Sequence, residues 1–278
     1  MGAFTVLPMS QEIELAAGEV YEGEITVANP ADAAGEFSYY VTAVPYTVIG
    51  EDYTADLETV SDWTQLAEWI EIEEPTGVLL PNETRAVKFK ISVPETAPAG
   101  GQYAAIAVRS SDEEVAGATV QIQNVFEIAS VIFAKVEGET IHSGEILENF
   151  VPGFSVENPP ISSVTLKNTG NVHEAAVVTI EVKNALTGAK VFPVAEDDTN
   201  EYVEYIMPET TRYSTREIDG LSSLGVFEIS QTVSYLGQTS VETKTVLMCP
   251  VWFMVLIGLL IITAVFTIVR KIRGRTRV

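Results

Sequence analysis

Cysteine is nearly missing from this chain: its 278 residues include one, Cys249. Nothing on its N-terminal side can be joined by a disulfide, so an exported domain here must be held by packed cores, a habit that suits a bacterial surface better than a eukaryotic secreted one. Histidine is almost as scarce. His142 and His173 are the only two, and without a cysteine nearby they offer neither a zinc site nor a Cys-His nucleophile pair. No Gly-x-Ser-x-Gly elbow surrounds any serine, so nothing supports a Ser-His-Asp hydrolase. Positive charge is thin as well. Of 16 Lys and Arg, five crowd the last nine residues, which leaves 11 against all 39 acidic residues, a balance of −28. Such a surface repels nucleic acid and anionic polymers and favours basic protein surfaces or cations. The first ten residues have no basic segment and no apolar stretch long enough for an export signal, so that signal is expected to have been removed or to precede this start. Met1-Gly2 is not a myristoylation site either, with Val6 at the sixth position.

What the chain does have is an uncharged run from Val246 to Val269, followed at once by Arg270, Lys271, Arg273, Arg275 and Arg277. At ~1.5 Å per residue this run crosses the roughly 30 Å hydrocarbon core of a bilayer with some tilt. Basic residues on the C-terminal flank place that flank in the cytoplasm and everything before Val246 outside. Trp252 and Phe253 suit the outer interface, and Pro250 is tolerable where the first helical turn lacks intrahelical donors. Cys249 falls inside the run. The expectation is a single-pass cell-membrane protein with an extracellular N-terminal part and a cytoplasmic tail.

The exterior part reads as strands. Val87, Phe89, Ile91 and Val93 alternate with Lys88, Lys90 and Ser92; Val178, Ile180 and Val182 repeat the pattern, as do Phe227, Ile229, Val233 and Tyr235. Turn signals separate these runs, at Asn29-Pro30, Gly50, Pro81-Asn82, Pro98 to Gly101, Asn168 to Asn171, Thr187-Gly188 and Leu236-Gly237. The length is enough for two immunoglobulin-like sandwiches of ~100 residues each. A short repeat agrees, since Ile25-Thr26-Val27-Ala28-Asn29 and Val164-Thr165-Leu166-Lys167-Asn168 share an apolar-Thr-apolar-x-Asn pattern before a turn. The expected fold is therefore all-β: a sandwich over 1–136, a second over 137–245, a transmembrane α-helix over 246–269 and a basic tail over 270–278. One stretch looks helical, with Ser61-Asp62 placed to cap a turn carrying Trp63, Leu66 and Trp69. The two tryptophans either plug a sandwich end or form an aromatic platform for glycan.

"IELAAGEVYEGEITVANPADAAGEFSYYVTAV" and "VLLPNETRAVKFKISVPETAPAGGQYAAIAV" resemble the first domain of the WxL-interacting surface proteins of Gram-positive bacteria. In that family a Gly-Glu turn leads into a strand ending in Asn, and a later one leads through Val-Pro to Gly-x-Tyr. Here the turns are Ala17-Gly18-Glu19 and Pro81-Asn82-Glu83, with Asn82 where Gly is usual; Asn also accepts a left-handed backbone. The second half, with "VTLKNTGNVHEAAVVTIEVKNALTGAKVF" and "LGVFEISQTVSYLGQTS", resembles the family's membrane-proximal domain. The resemblance implies a distal domain that engages peptidoglycan and a proximal one that meets surface proteins, including those with a WxL module. It carries over no individual binding residue.

No cofactor or metal site is expected. Asp197, Asp198, Asn200 and Glu201 gather oxygens but lack the spacing and glycine of a calcium loop. His173, beside a turn, reads as an exposed loop residue. Leu80-Pro81-Asn82-Glu83-Thr84 has a residue too many for a sortase signal and lies far from the anchor. The leading expectation is a non-enzymatic, membrane-anchored scaffold or adhesion protein that binds peptidoglycan, surface proteins or both. The alternative is an assembly factor that completes a client's sheet with an edge strand.

Overall fold

The computed structural model describes residues 4–50, 52–110, 127–192 and 200–275, the last four as backbone alone. It is an all-β protein of two sandwiches followed by one apolar C-terminal helix. By contacts the chain forms two units. The first takes Met1–Ser143 together with Asn168–Glu174 and Met207–Thr210; the second takes Gly144–Lys167, Ala175–Ile206 and Thr211–Val278. Residues 137–143 stay with the first unit because Asn171 holds them: its Oδ1 accepts from Ile141 N at 2.6 Å and its Nδ2 donates to Glu139 O at 2.9 Å.

The first unit contains β1 (Thr5–Leu7), β2 (Ser10–Leu15), β3 (Val20–Ala28), β4 (Phe37–Pro45), β5 (Thr47–Ile49), β6 (Thr54–Asp56), the short helix α1 (Leu66–Trp69), β7 (Ile70–Ile72), β8 (Thr76–Leu79), β9 (Thr84–Ser92), β10 (Gly100–Ser110) and β11 (Glu127–Val136). Two sheets face each other, ordered β1-β3-β9-β7 and β2-β11-β10-β4-β8, with β5-β6 as a side hairpin. The alternation read from the sequence is realised in β9: Val87, Phe89 and Ile91 are 2%, 1% and 0% exposed, while Lys88 between them faces solvent. Across the ladder Phe89 pairs with Gly23, and its ring occupies the space that a Cβ there would need. A glycine in mid-strand is thus covered by its cross-strand aromatic neighbour.

Two turns of the first unit share one device. Gly18 (φ +77°) and Asn82 (φ +66°) take the left-handed backbone. The glutamate that follows each folds back, so that Ala16 N donates to Glu19 Oε2 at 2.7 Å and Leu80 N to Glu83 Oε2 at 2.8 Å. The strand-ending asparagines of the repeat act alike too. Buried Asn29 donates to Gly35 O and Leu79 O, both at 3.0 Å, and buried Asn168 donates to Val172 O at 2.7 Å while accepting from Gly170 N at 2.8 Å. Each amide satisfies loop backbone that burial would otherwise orphan.

The second unit contains β12 (Gly144–Phe150), β13 (Phe154–Ser155), β14 (Ile161–Asn168), β15 (Glu174–Asn184), β16 (Lys190–Phe192), β17 (Glu201–Ile206), β18 (Thr211–Glu217), β19 (Gly225–Tyr235), β20 (Gln238–Met248) and the helix α2 (Val251–Arg275). Its sheets are β12-β14-β18 and β13-β20-β19-β15-β16, with β17 also on β15. Val178, Ile180 and Val182 and, from β19, Phe227, Ile229, Val233 and Tyr235 form its buried side. In both units the opening strand changes sheets at a proline. Pro8 separates β1 from β2, which runs parallel to β11, and Pro152 separates β12 from β13, which runs parallel to β20. Proline cannot donate to a ladder, so pairing ends there.

The structure corrects the sequence reading in several places. The uncharged run does not begin as helix: Val246 and Met248 are 0% and 1% exposed and pair with Phe227 and Gly225 in β19. Cys249 is buried beside the same sheet, its N–H donating to Ser155 O at 3.0 Å. Ladder partners and inward alternation hold these residues as strand, and helix starts only after Pro250. Ser61 does not cap α1, whose N-cap is Gln65 without a side-chain bond. Ser61 Oγ instead accepts from Trp63 N at 3.3 Å in a preceding turn. The side chains of Arg273 and Arg275, and all of Arg277, lie outside the described residues, as do Asp197 and Asp198 of the acidic loop.

Candidate functional site

Strands β2, β10 and β11 place Glu12, Glu14, Gly101, Phe133 and Lys135 along the outer side of the first unit's larger sheet. There Ile13, His142, Val172 and His173 complete a cleft of ≈ 390 Å³, within the usual size for small-ligand sites. The two histidines, separated in sequence, are brought together. His142 Nδ1 lies 2.6 Å from Glu174 Oε1. His173 is half-buried rather than exposed as its turn suggested, because Tyr103 and Phe133 pack against it at ring-centroid distances of 5.7 and 5.1 Å.

Tyr103, the tyrosine of the Gly101-Gln102-Tyr103 segment, is fully buried on the sheet face away from the core cluster. It sits edge-on to Phe133, its ladder partner, which Tyr46 meets in turn. Its hydroxyl accepts from His173 N at 2.8 Å and lies 3.3 Å from His173 Nδ1. Having accepted one proton, the hydroxyl is placed to donate its own to Nδ1, which requires that nitrogen to be unprotonated. Burial pushes the Tyr103 pKa up and lowers that of His173, against the raising pull of Glu12 and Glu174. Neutral His173, two glutamates and Lys135 can bind charged or zwitterionic groups. Among the described residues no cluster of three or more His, Cys, Asp or Glu side chains could hold a metal ion.

The tryptophans are placed differently from each other. Trp69 is 8% exposed in the core cluster beside Leu66, which fits the sandwich-end plug. Trp63 is half-buried, and its carbonyl accepts from Tyr103 N at 2.8 Å. Trp69 thus packs as core, while Trp63 keeps part of its surface exposed.

In the second unit a buried carboxylate organises one face. Glu204, 1% exposed, accepts from Ser214 Oγ at 2.7 Å and pairs with Arg212 at 2.6 Å and with Arg216. Arg216 also stacks over Tyr202, 4.8 Å from the ring centroid. Sequence reading missed this cluster because Glu204 stands on β17 and Arg212, Ser214 and Arg216 on β18, consecutive strands of different sheets that only the fold turns toward each other. Beyond the sandwich, α2 carries 21 residues, Val251–Lys271, long and apolar enough to cross a membrane, with none of that stretch buried. Trp252 is 61% exposed near one end, and Arg270 and Lys271 are exposed at the other.

No protein-family model matches the sequence, and no curated protein matches it. Solved structures overlap in outline. A chain of the chaperone–tip adhesin complex of CFA/I fimbriae biogenesis is 12% identical over 87% of this chain and 99% of that one, with a TM-score of 0.42. A chain of the CsuC–CsuE chaperone–tip adhesion subunit complex of Acinetobacter baumannii is 13% identical, covering 88% and 100%, at 0.39. A chain of the Salmonella enterica SafA pilin–SafB chaperone complex is 10% identical, covering 89% and 97%, at 0.41. Overlap this low carries no function across.

Proposed function

We propose that this chain is a non-enzymatic, membrane-tethered surface protein whose sandwiches bind another exported protein. The observation that carries the reading is α2, an apolar helix with no buried stretch, entered directly from the last strand and ending in basic residues. In water such a helix exposes a large contiguous apolar surface, and a bilayer is the solvent that suits it. The basic end then lies in the cytoplasm and both sandwiches outside. The cleft of the first unit, with carboxylates, a lysine and imidazoles, suits a charged protein segment better than neutral glycan, and burial of Trp69 removes half of the glycan platform. Surface proteins with a WxL module are the partners that the sequence resemblance suggests; peptidoglycan is the competing ligand. The test is a pull-down with the full-length chain against a surface-protein extract and, separately, against sacculi freed of teichoic acid. Capture of an exported protein, lost in Lys135→Glu, supports the reading. Sedimentation with sacculi alone would replace it with the peptidoglycan reading.

A second reading, an assembly factor that pairs an edge strand with its client, has one observation in its favour. Strand β20 is paired through its length with β19, but on its other side β13 covers only Leu247 and Met248. The edge before them presents backbone groups of the kind that recruit a further strand, although the Glu242–Lys244 ion pair at 2.9 Å guards it. Loss of client capture in Val241→Lys, with the Lys135→Glu variant still active, would favour this mode.

A further inference from the structure

The end of the second sandwich from which α2 departs is ringed by exposed apolar side chains that its core does not use. Leu186 at the tip of the β15–β16 hairpin is 82% exposed, Phe154 49%, Leu247 44%, Leu224 41% and Val156 39%. The ladders bring them to one end. Phe154 and Val226 both pair with Leu247, Gly225 pairs with Met248, and Ala185 N donates to Val226 O at 2.9 Å. Leu224 therefore projects beside β20, the strand that feeds the helix, and Leu186 beside its neighbour β19.

Resting on the membrane-spanning reading above, we infer that this apolar end is seated in the lipid interface, so that the second sandwich stands on the bilayer rather than swinging above it. The connection decides the occupant. Only Cys249 and Pro250 separate β20 from α2, and two extended residues reach about 7 Å. Cys249 is not free to extend, since it is buried and its N–H is held by Ser155 O. The ring of side chains is thus confined to the depth of the headgroups, where aromatic and aliphatic groups beside Trp252 exchange water for acyl chains. A second copy or a soluble partner would have to reach the same surface through the lipid. The seat is apolar rather than ionic, as an ectodomain with a balance of −28 requires against a charged leaflet.

The test uses the full chain with Cys249→Ala, one molecule per phosphatidylcholine nanodisc, and a nitroxide at a single introduced cysteine. Leu186→Cys, Leu224→Cys, Thr239→Cys and Ile262→Cys are compared by collision with oxygen, which partitions into lipid, and with a water-soluble nickel chelate. Thr239 lies at the far end of β20, about 27 Å from Leu247. The inference expects the labels at 186 and 224 to favour oxygen at least threefold more than the label at 239, and the label at 262 to favour it most. Lipid-like 262 with water-like 186 and 224 would overturn the seat alone; water-like 262 would overturn the membrane reading beneath it. One molecule per disc excludes shielding by a second copy.

Discussion

The two sandwiches close their last strands differently. In the first, β2 lies parallel to β11 from Val131 to Val136, so more than half of that edge is sealed. In the second, β13 seals β20 only at Leu247 and Met248. Their interiors differ in one respect. Both bury polar side chains, Asn29, Thr64, Gln102 and Ser130 in the first and Ser162, Ser163 and Gln231 in the second, but among the described residues the one buried carboxylate, Glu204, belongs to the second. A buried carboxylate makes the second unit depend on specific partners as well as on packing, and its sparse seal sits where α2 begins. The stability of the second unit is therefore expected to depend on the end of β20 next to the helix, where Val246 and Met248 are buried.

The largest expected effect sharpens the packing half of the comparison. Phe89→Ala leaves a cavity in the first core and is expected to cost about 3–5 kcal/mol, against less than about 0.5 for Lys88→Ala. Chemical denaturation of a chain ending at Pro250, followed by a probe in the first unit, checks it; equal costs would show that the register is misassigned. The connection half is tested by where the chain is cut. A chain ending at Thr245 loses the buried side chains of Val246 and Met248, worth about 1.5–3 kcal/mol each. It is expected to melt well below one ending at Pro250, and equal melting temperatures would break the link between the end of β20 and the stability of the second unit.

Next in size is the buried carboxylate. Removing one member of a buried ion pair costs about 3–5 kcal/mol, but Arg212 and Arg216 keep side-chain exposures of 25% and 36%, so Glu204→Ala is expected to cost about 2 kcal/mol. A double-mutant cycle with Arg212→Ala should show coupling; strict additivity would mean that the cluster is ornamental to the fold. The smallest effect concerns pH. Because burial lowers the pKa of His173, the unfolded chain takes up its proton first, near pH ~6.5. That penalty is absent above this pH and grows as pH falls until the folded-state pKa is passed. His173→Gln should therefore flatten the loss of stability between neutral and mildly acidic pH. Parallel pH profiles for the two proteins would contradict the neutral, Tyr103-bonded imidazole.

Much of the fold is legible in the sequence because its signals are local. The alternation around Phe89, the left-handed turns at Gly18 and Asn82, and the asparagines that end two strands each act within a few residues. The prolines that move the opening strands between sheets are equally visible. The cleft is less so. Glu12, Lys135, His142 and His173 meet only after a parallel pairing and a loop placement that no spacing in the chain encodes. The start of the helix is hidden for a related reason: Val246, Leu247 and Met248 are as apolar as a membrane segment, and only their ladder with β19 shows them to be strand.

The proposed placement of α2 across a membrane, with both sandwiches outside, is tested most directly by labelling. In intact cells, with Cys249→Ala as background, a thiol reagent that cannot cross membranes is applied to Thr239→Cys, which is exposed on β20, and to Thr276→Cys. Labelling at 239 is expected, and none at 276 until the cells are opened. Labelling at 276 with 239 protected would contradict it.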